Sequence, residues 1–241
     1  MKKSMLTAAL LLSTATYAEE IPLEYQIKSI TVTEVKNFKN GLLGNVKAET
    51  PVTTPTPEEP KVDRLEQTKK VIAVARDFVA LGDAVYTLVT KGRPSNVSTY
   101  ASIDIVPKDP ITKEIVSAFD LENFSEPIEK KFSIKLRNGY NKVVVQFDYS
   151  VIFSYGGSYN GKGKFISSAM IVPGTIKTTF GWDFSSEMKL TGIMNVGTKE
   201  NPVMAANLTV KYAMKSLFSA FEKSDTIFIT GEGKIKAFSN M

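Results

Sequence analysis

Residues 142–155 read KVVVQFDYSVIFSY, and every second side chain in this run is apolar. A period of two is typical of a β-strand with one buried face, because successive side chains of a strand point to opposite sides of the sheet. An Asn-Gly pair at 138–139 precedes the run and is a hairpin signal. Pairing the chain across that turn places Phe132 opposite Val145, with both on the apolar face. The sequence therefore predicts an antiparallel hairpin here.

Similar alternation recurs after residue 96, with turn residues between the runs. The Pro-Gly pair at 173–174 and the stretch NVGTKENP at 195–202 are typical turn sequences. We expect about eight strands within residues 96–238, mostly antiparallel, in a curved sheet or a sandwich. A short helix is expected between the first two strands, at 111–119.

Residues 62–91 have a different period. Apolar side chains follow three- and four-residue spacing there, as on a helix with one apolar stripe: Val71, Val74, Phe78, Leu81, Val85 and Leu88. A second apolar row would widen this stripe beyond what contact with one sheet covers: Ile72, Val79, Tyr86 and Val89. The sequence thus predicts an α+β fold, dominated by β-structure and packed with one long N-terminal helix. It marks the second row as candidate contacts for a partner or ligand.

The single tryptophan stands in the sequence FGWDF, residues 180–184. Phe180, Trp182 and Phe184 occupy alternating positions, so we expect these three rings on the apolar side of a strand. This places them in the core rather than on an exposed stacking surface.

The chain opens MKKSMLTAALLLSTATYA, which has the order of a secretory signal peptide: two lysines, a short apolar run, and small residues at Thr16 and Ala18. We expect cleavage after Ala18 and export to the periplasm or the medium of a bacterium. Residues 19–43 would then form an N-terminal arm, residues 44–61 a Pro- and Thr-rich linker, and residues 62–241 a single α+β domain.

The composition narrows the chemistry, because the chain has no cysteine and no histidine. Ser–His and Cys–His nucleophilic catalysis, disulfides and the usual zinc and copper sites are excluded. The carboxylates fall on polar strand positions and in loops, which indicates a solubilising surface. We therefore expect no enzyme, no cofactor and no metal. Cleavage after Ala18 would remove two lysines and no acids and lower the net charge from +5 to +3, which is too small to indicate nucleic-acid binding.

The stretch GGSYNGKGKF, residues 156–165, contains seven of the eight positions of a phosphate-binding loop. Gly163 stands where that loop needs serine or threonine, and a strand-like run follows where it needs a helix. The sequence predicts a glycine-rich hairpin that binds no nucleotide. Tyr159 and Lys162 at its exposed tip are further candidate partner contacts.

Three functions follow from these features. The first is an exported, non-enzymatic envelope protein that acts as a protein-interaction or self-assembly module, with a protein partner or as a homo-oligomer. The second is a carrier of a lipid or another apolar ligand, held between a curved sheet and the helix. The third is a small outer-membrane β-barrel, since about eight alternating strands could close one.

Overall fold

A computed structural model describes residues 20–35, 70–94 and 101–239. Within these ranges the chain forms strands in two antiparallel sheets. Sheet A has the strand order β1-β7-β8-β9-β6-β3-β2, and sheet B has the order β13-β12-β11-β10-β4-β5. The strands are β1 (Ile27–Glu34), β2 (Val71–Val74), β3 (Phe78–Leu81), β4 (Val85–Thr90), β5 (Arg93–Pro94), β6 (Ile103–Pro107), β7 (Ile128–Asn138), β8 (Val143–Tyr159), β9 (Lys162–Thr178), β10 (Asp183–Asn195), β11 (Met204–Lys215), β12 (Ala220–Thr230) and β13 (Ile235–Ser239).

The long period-two run forms β8, the central strand of the β7–β8–β9 meander in sheet A, as the alternation predicts. The pairing of β7 with β8 differs from the predicted register, because Phe132 lies opposite Tyr149 rather than Val145. The turn at 138–142 is longer than two residues and is held by a hydrogen bond from the Asn138 amide to the Lys142 carbonyl oxygen at 3.0 Å. The shift is an even number of residues, so the same side chains still face the core.

The predicted long N-terminal helix is wrong. Residues 71–90 form the short strands β2, β3 and β4, and the described ranges contain no helix of seven or more residues. Residues 62–69 of that prediction lie outside the described ranges. Gly82 has a φ of +139°, where side chains are rarely tolerated, and a Cβ there would overlap the carbonyl oxygen of Ser102. Three short strands separated by turns imitate a three- and four-residue spacing, and their valines favour β-structure.

The two sheets pack face to face over a single core, so the fold is nearly all β rather than α+β. Aromatic side chains fill the space between the sheets: Phe132, Phe147, Tyr149, Phe184 and Tyr212. The rings of Phe147 on β8 and Phe184 on β10 have centroids 5.3 Å apart and join the sheets directly. Burial of each such side chain contributes about 1.5–3 kcal/mol to stability.

Other predicted elements have mixed outcomes. The predicted helix at 111–119 is wrong, because this segment has turns and only a 3₁₀ turn at Ala118–Asp120. The chain does not turn at 173–174, since β9 continues through Pro173, which lies opposite Tyr149. The turn at 195–202 is confirmed as the β10–β11 connection.

The predicted N-terminal organisation of signal peptide, arm and linker falls only partly within the described residues. The predicted signal peptide, residues 1–18, and linker, residues 44–61, lie outside the described residues. Part of the predicted arm forms β1, which pairs with β7 at the edge of sheet A. Among the described residues, no helix has the length and hydropathy to cross a membrane.

Candidate functional site

The N-terminal segment and four strand connections meet at one end of the sandwich, which we call the apolar end. It comprises residues 20–28, 91–93, 137–143, 177–183 and 215–222. The pairing of β1 with β7, of β10 with β4 and of β10 with β11 brings these segments to the same end of the sandwich, where the strands of both sheets terminate. Any surface that touches this end meets all of them together.

The β9–β10 turn presents a phenylalanine to solvent. The Thr179 carbonyl oxygen accepts a hydrogen bond from the Trp182 amide at 3.1 Å, and Gly181 has a φ of +84°. A turn of this kind needs glycine at its third position and directs the preceding side chain outward. Phe180 is therefore 99% exposed. The expectation that Phe180 lies in the core is wrong, whereas Trp182 and Phe184 are buried as predicted.

The β11–β12 connection is built in a similar way. The Ser216 amide donates to the Ser219 carbonyl oxygen at 2.8 Å, and the Ser216 hydroxyl accepts from the amides of Phe218 and Ser219. This tight turn leaves Leu217 82% exposed and Phe218 about half exposed. Tyr140 in the β7–β8 turn is also exposed. Turn positions commonly carry Gly, Asn, Asp, Ser or Pro, so apolar residues at three neighbouring tips are unusual.

The N-terminal segment holds these turns in place. The Gly139 amide donates to the Leu23 carbonyl oxygen at 2.9 Å, and the Ser219 hydroxyl donates to the Tyr25 carbonyl oxygen at 3.0 Å. The Tyr25 ring lies between two others, with centroid distances of 5.0 Å to Phe218 and 6.4 Å to Trp182. The turns that carry the apolar tips are thus connected to one another by aromatic packing and hydrogen bonds to the N-terminal segment.

The apolar end also carries a positive charge. Its five segments contain seven cations and four acids. The cations are Lys28, Lys91, Arg93, Arg137, Lys142, Lys177 and Lys215, and the acids are Glu20, Glu24, Asp183 and Glu222. Within the described ranges, none of these seven cations forms an ion pair with an acid. These five segments therefore have a net charge of +3.

The opposite end of the sandwich, which we call the polar end, comprises residues 108–126, 159–162, 195–203 and 231–234. Its hairpin tips carry turn residues of the ordinary kind, such as the Asn-Gly pair at 160–161. Ile111 and Phe119 are exposed there, at 88% and 93%. They stand in a segment, 108–126, with two lysines and five acids. The two ends thus differ in charge, since the apolar end has three more cations than acids and the 108–126 segment has three more acids than lysines.

The candidate contacts from the second apolar row are not brought together on one exposed face. Val79 on β3 and Val89 on β4 are buried in the core, and Ile72 on β2 is half buried. Their predicted exposure depended on a helix at 62–91, and residues 71–90 form strands instead. Phe180 and Leu217 were not among the contacts predicted from the sequence, although Gly181 and the two serines of the β11–β12 turn, Ser216 and Ser219, were available turn signals.

Tyr86, the fourth member of that row, links the two sheets. Its hydroxyl accepts a hydrogen bond from the Ile171 amide at 2.7 Å and donates to the Ile171 carbonyl oxygen at 3.1 Å. Ile171 lies on β9 beyond the last residue that pairs with β6, so its outer amide and carbonyl have no neighbouring strand. Burial raises the pKa of the Tyr86 hydroxyl, which keeps it protonated as a donor.

Tyr159 and Lys162 lie at the tip of the β8–β9 hairpin, and the prediction that the glycine-rich stretch is a hairpin is confirmed. The Tyr159 hydroxyl donates to a carboxylate oxygen of Asp109 at 2.8 Å. The Thr112 amide and this hydroxyl lower the pKa of Asp109, since both stabilise the carboxylate. The bond ties the hairpin to the 108–126 segment, and Lys162 remains exposed beside it.

The outer face of sheet B has an open groove of about 550 Å³ across β4, β10, β11 and β12. Its lining is mainly hydroxyl and charged side chains, and the Glu187–Lys211 ion pair at 3.9 Å crosses it. The groove can accommodate water or a polar chain. In the described part of the chain, no group of three or more acidic side chains is placed to hold a metal ion.

A titratable cluster lies between the sheets: Tyr149 on β8, Tyr212 on β11 and Asp225 on β12. Asp225 is 1% exposed. Burial and then the Asp225 charge raise the pKa of both tyrosines, because each effect disfavours the phenolate. Tyr149 has no exposed surface and Tyr212 is 2% exposed, so both hydroxyls lie inside the core as protonated phenols.

No family model, curated protein or solved structure matches this chain.

Proposed function

We propose that the protein is an exported, non-enzymatic interaction module that docks onto another surface of the cell envelope through the apolar end. The observation that carries this proposal is the set of three neighbouring turn tips with apolar side chains: Tyr140, Phe180 and Leu217. Exposing such side chains costs free energy in water unless a partner covers them. Their rigid support favours docking, since little conformational entropy is lost when a preorganised surface binds.

The space between the sheets supports docking rather than carriage of an apolar ligand. A carrier needs an empty apolar cavity, and here aromatic rings such as Phe147, Phe184 and Tyr212 occupy the interior. The groove on sheet B is open and largely polar. Docking also agrees with a composition that lacks histidine and cysteine.

The test compares wild-type protein with the double variant Phe180→Ser and Leu217→Ser. Both are incubated with total cell envelope, and co-sedimentation and oligomeric state by light scattering are measured. We expect the double variant to stay folded, since these side chains are at least 82% exposed, and to lose envelope binding or self-association.

The matched control is Ile111→Ser with Phe119→Ser, two equally exposed side chains at the polar end. This control should bind as wild type does. Equal binding by the Phe180/Leu217 variant, or a wild-type protein that neither sediments with envelope nor self-associates, would refute the proposal.

A further inference from the structure

The partner of the apolar end can be inferred from how its apolar side chains are arranged. Phe180, Leu217 and Tyr140 are exposed on three different strand connections. A protein partner would need a separate pocket for each tip. A bilayer accepts independent side chains, because its hydrocarbon boundary has no fixed shape to match.

Charge supplies the second argument. Cations surround the tips, and Lys142, Lys177 and Lys215 are all exposed and belong to the same turns or the strand ends beside them. An anionic leaflet attracts such cations, and the attraction acts only within about a Debye length of the surface. Apolar tips and surrounding cations thus select the same surface, an anionic one.

The polar end explains why the orientation would be unique. Ile111 and Phe119 are as exposed as the tips of the apolar end, but they belong to the 108–126 segment, which has five acids and only two lysines. An anionic surface repels that segment. Apolar exposure alone would therefore let either end dock, whereas charge leaves only the apolar end.

We infer that the apolar end docks on an anionic phospholipid bilayer, with Phe180, Leu217 and Tyr140 inserted at the headgroup boundary. This inference rests on the proposed function and names the surface that the same site contacts. Tyr140 suits the boundary because its ring is apolar and its hydroxyl can remain hydrated. Sheets A and B would then stand upright on the membrane, with the groove of sheet B facing water.

Protein-free vesicles test the inference. Wild-type protein should float with vesicles of equimolar phosphatidylcholine and phosphatidylglycerol, and it should bind phosphatidylcholine vesicles at least ~10-fold more weakly. Added salt should weaken the binding to anionic vesicles. The Phe180→Ser/Leu217→Ser variant should bind at least ~10-fold more weakly than wild type, since two apolar side chains are lost. The Ile111→Ser/Phe119→Ser control should be unchanged.

A spectroscopic readout locates the contact. The chain has no cysteine, so Leu217→Cys or Phe119→Cys carries a single site for an environment-sensitive fluorophore. The label at position 217 should shift to the blue on anionic vesicles, and the label at position 119 should not. Equal shifts at both positions, or no shift at 217, would overturn the inference.

The outcomes separate this inference from the proposed function. If wild-type protein ignores vesicles while the Phe180/Leu217 variant still loses envelope binding, the bilayer inference fails and a protein partner takes its place. If the substitutions change neither vesicle binding nor envelope binding, both proposals fail.

Discussion

Replacing Tyr86 by phenylalanine removes one oxygen atom and two hydrogen bonds between the sheets. The hydroxyl satisfies both the amide and the carbonyl of Ile171, a residue with no exposed surface. A buried donor or acceptor without a partner costs about 1–3 kcal/mol. Two such groups predict a loss of about 2–6 kcal/mol for Tyr86→Phe, with no added cavity cost because the ring that fills the space is retained.

The assay is denaturant unfolding combined with hydrogen exchange at single amides. A loss near 3 kcal/mol corresponds to a fall in Tm of about 6–12 °C for a chain of this size. The Ile171 amide should lose protection beyond the global change, because its acceptor is removed. Tyr155→Phe is the matched control on β8, since no hydrogen bond of that hydroxyl occurs among the described residues, and it should change stability by less than about 0.5 kcal/mol.

One result would refute this reasoning. If Tyr86→Phe unfolds at the wild-type denaturant concentration and the Ile171 amide stays protected, β4 is not joined to β9 through this hydroxyl. The position of sheet B over β9 would then depend on the aromatic core alone.

Burial raises the pKa of Tyr86, Tyr149 and Tyr212 above the ordinary 10.0, so the folded chain holds these protons more tightly than the unfolded chain. The protonated hydroxyls therefore contribute their full share of stability below pH 10, and this share is lost as the pH rises above it. Tyrosinate absorbance from these three should therefore appear together with loss of circular dichroism, and their titration in a chain that stays folded would contradict the burial. Gly82→Ala should lower the free energy of unfolding by at least ~2 kcal/mol, because the φ of +139° disfavours a side chain and a Cβ would overlap the Ser102 carbonyl oxygen. Gly161→Ala is the control and should cost about 1 kcal/mol, since a Cβ there meets nothing within 4 Å. Equal unfolding free energies for the two variants would count against this difference. N-terminal sequencing of protein from the envelope fraction should begin at Glu19, and a start at Met1 would remove the export prediction.

The strands after residue 100 could be predicted because their information is local. Alternating side chains, Asn-Gly pairs and proline-containing turns act within a few residues, so β8, the β8–β9 hairpin and the 195–202 turn follow from the sequence. Register is less local. The pairing of Phe132 with Tyr149 depends on how the 138–142 turn closes, and the sequence alone predicts a shorter turn.

The segment 71–90 shows where local information fails. Short apolar runs fit a helix and a set of strands equally well when only spacing is considered. The tertiary structure decides between them through Gly82, whose backbone lies against Ser102, and through β6, which supplies the ladder for β3. These partners lie 20–29 residues further along the chain, so the spacing of apolar residues within 71–90 carries no information about them.

The sequence by itself determined the period of the later strands. It also determined which chemistry is excluded, because the chain has no cysteine and no histidine. The apolar end was decided by the tertiary structure alone, because Tyr140, Phe180 and Leu217 are far apart along the chain and look like ordinary apolar residues there. Their exposure arises from turn geometry, in which a hydrogen-bonded backbone directs the side chain outward regardless of its hydrophobicity. Their proximity arises from antiparallel pairing, which brings alternate strand connections to the same end of the sandwich.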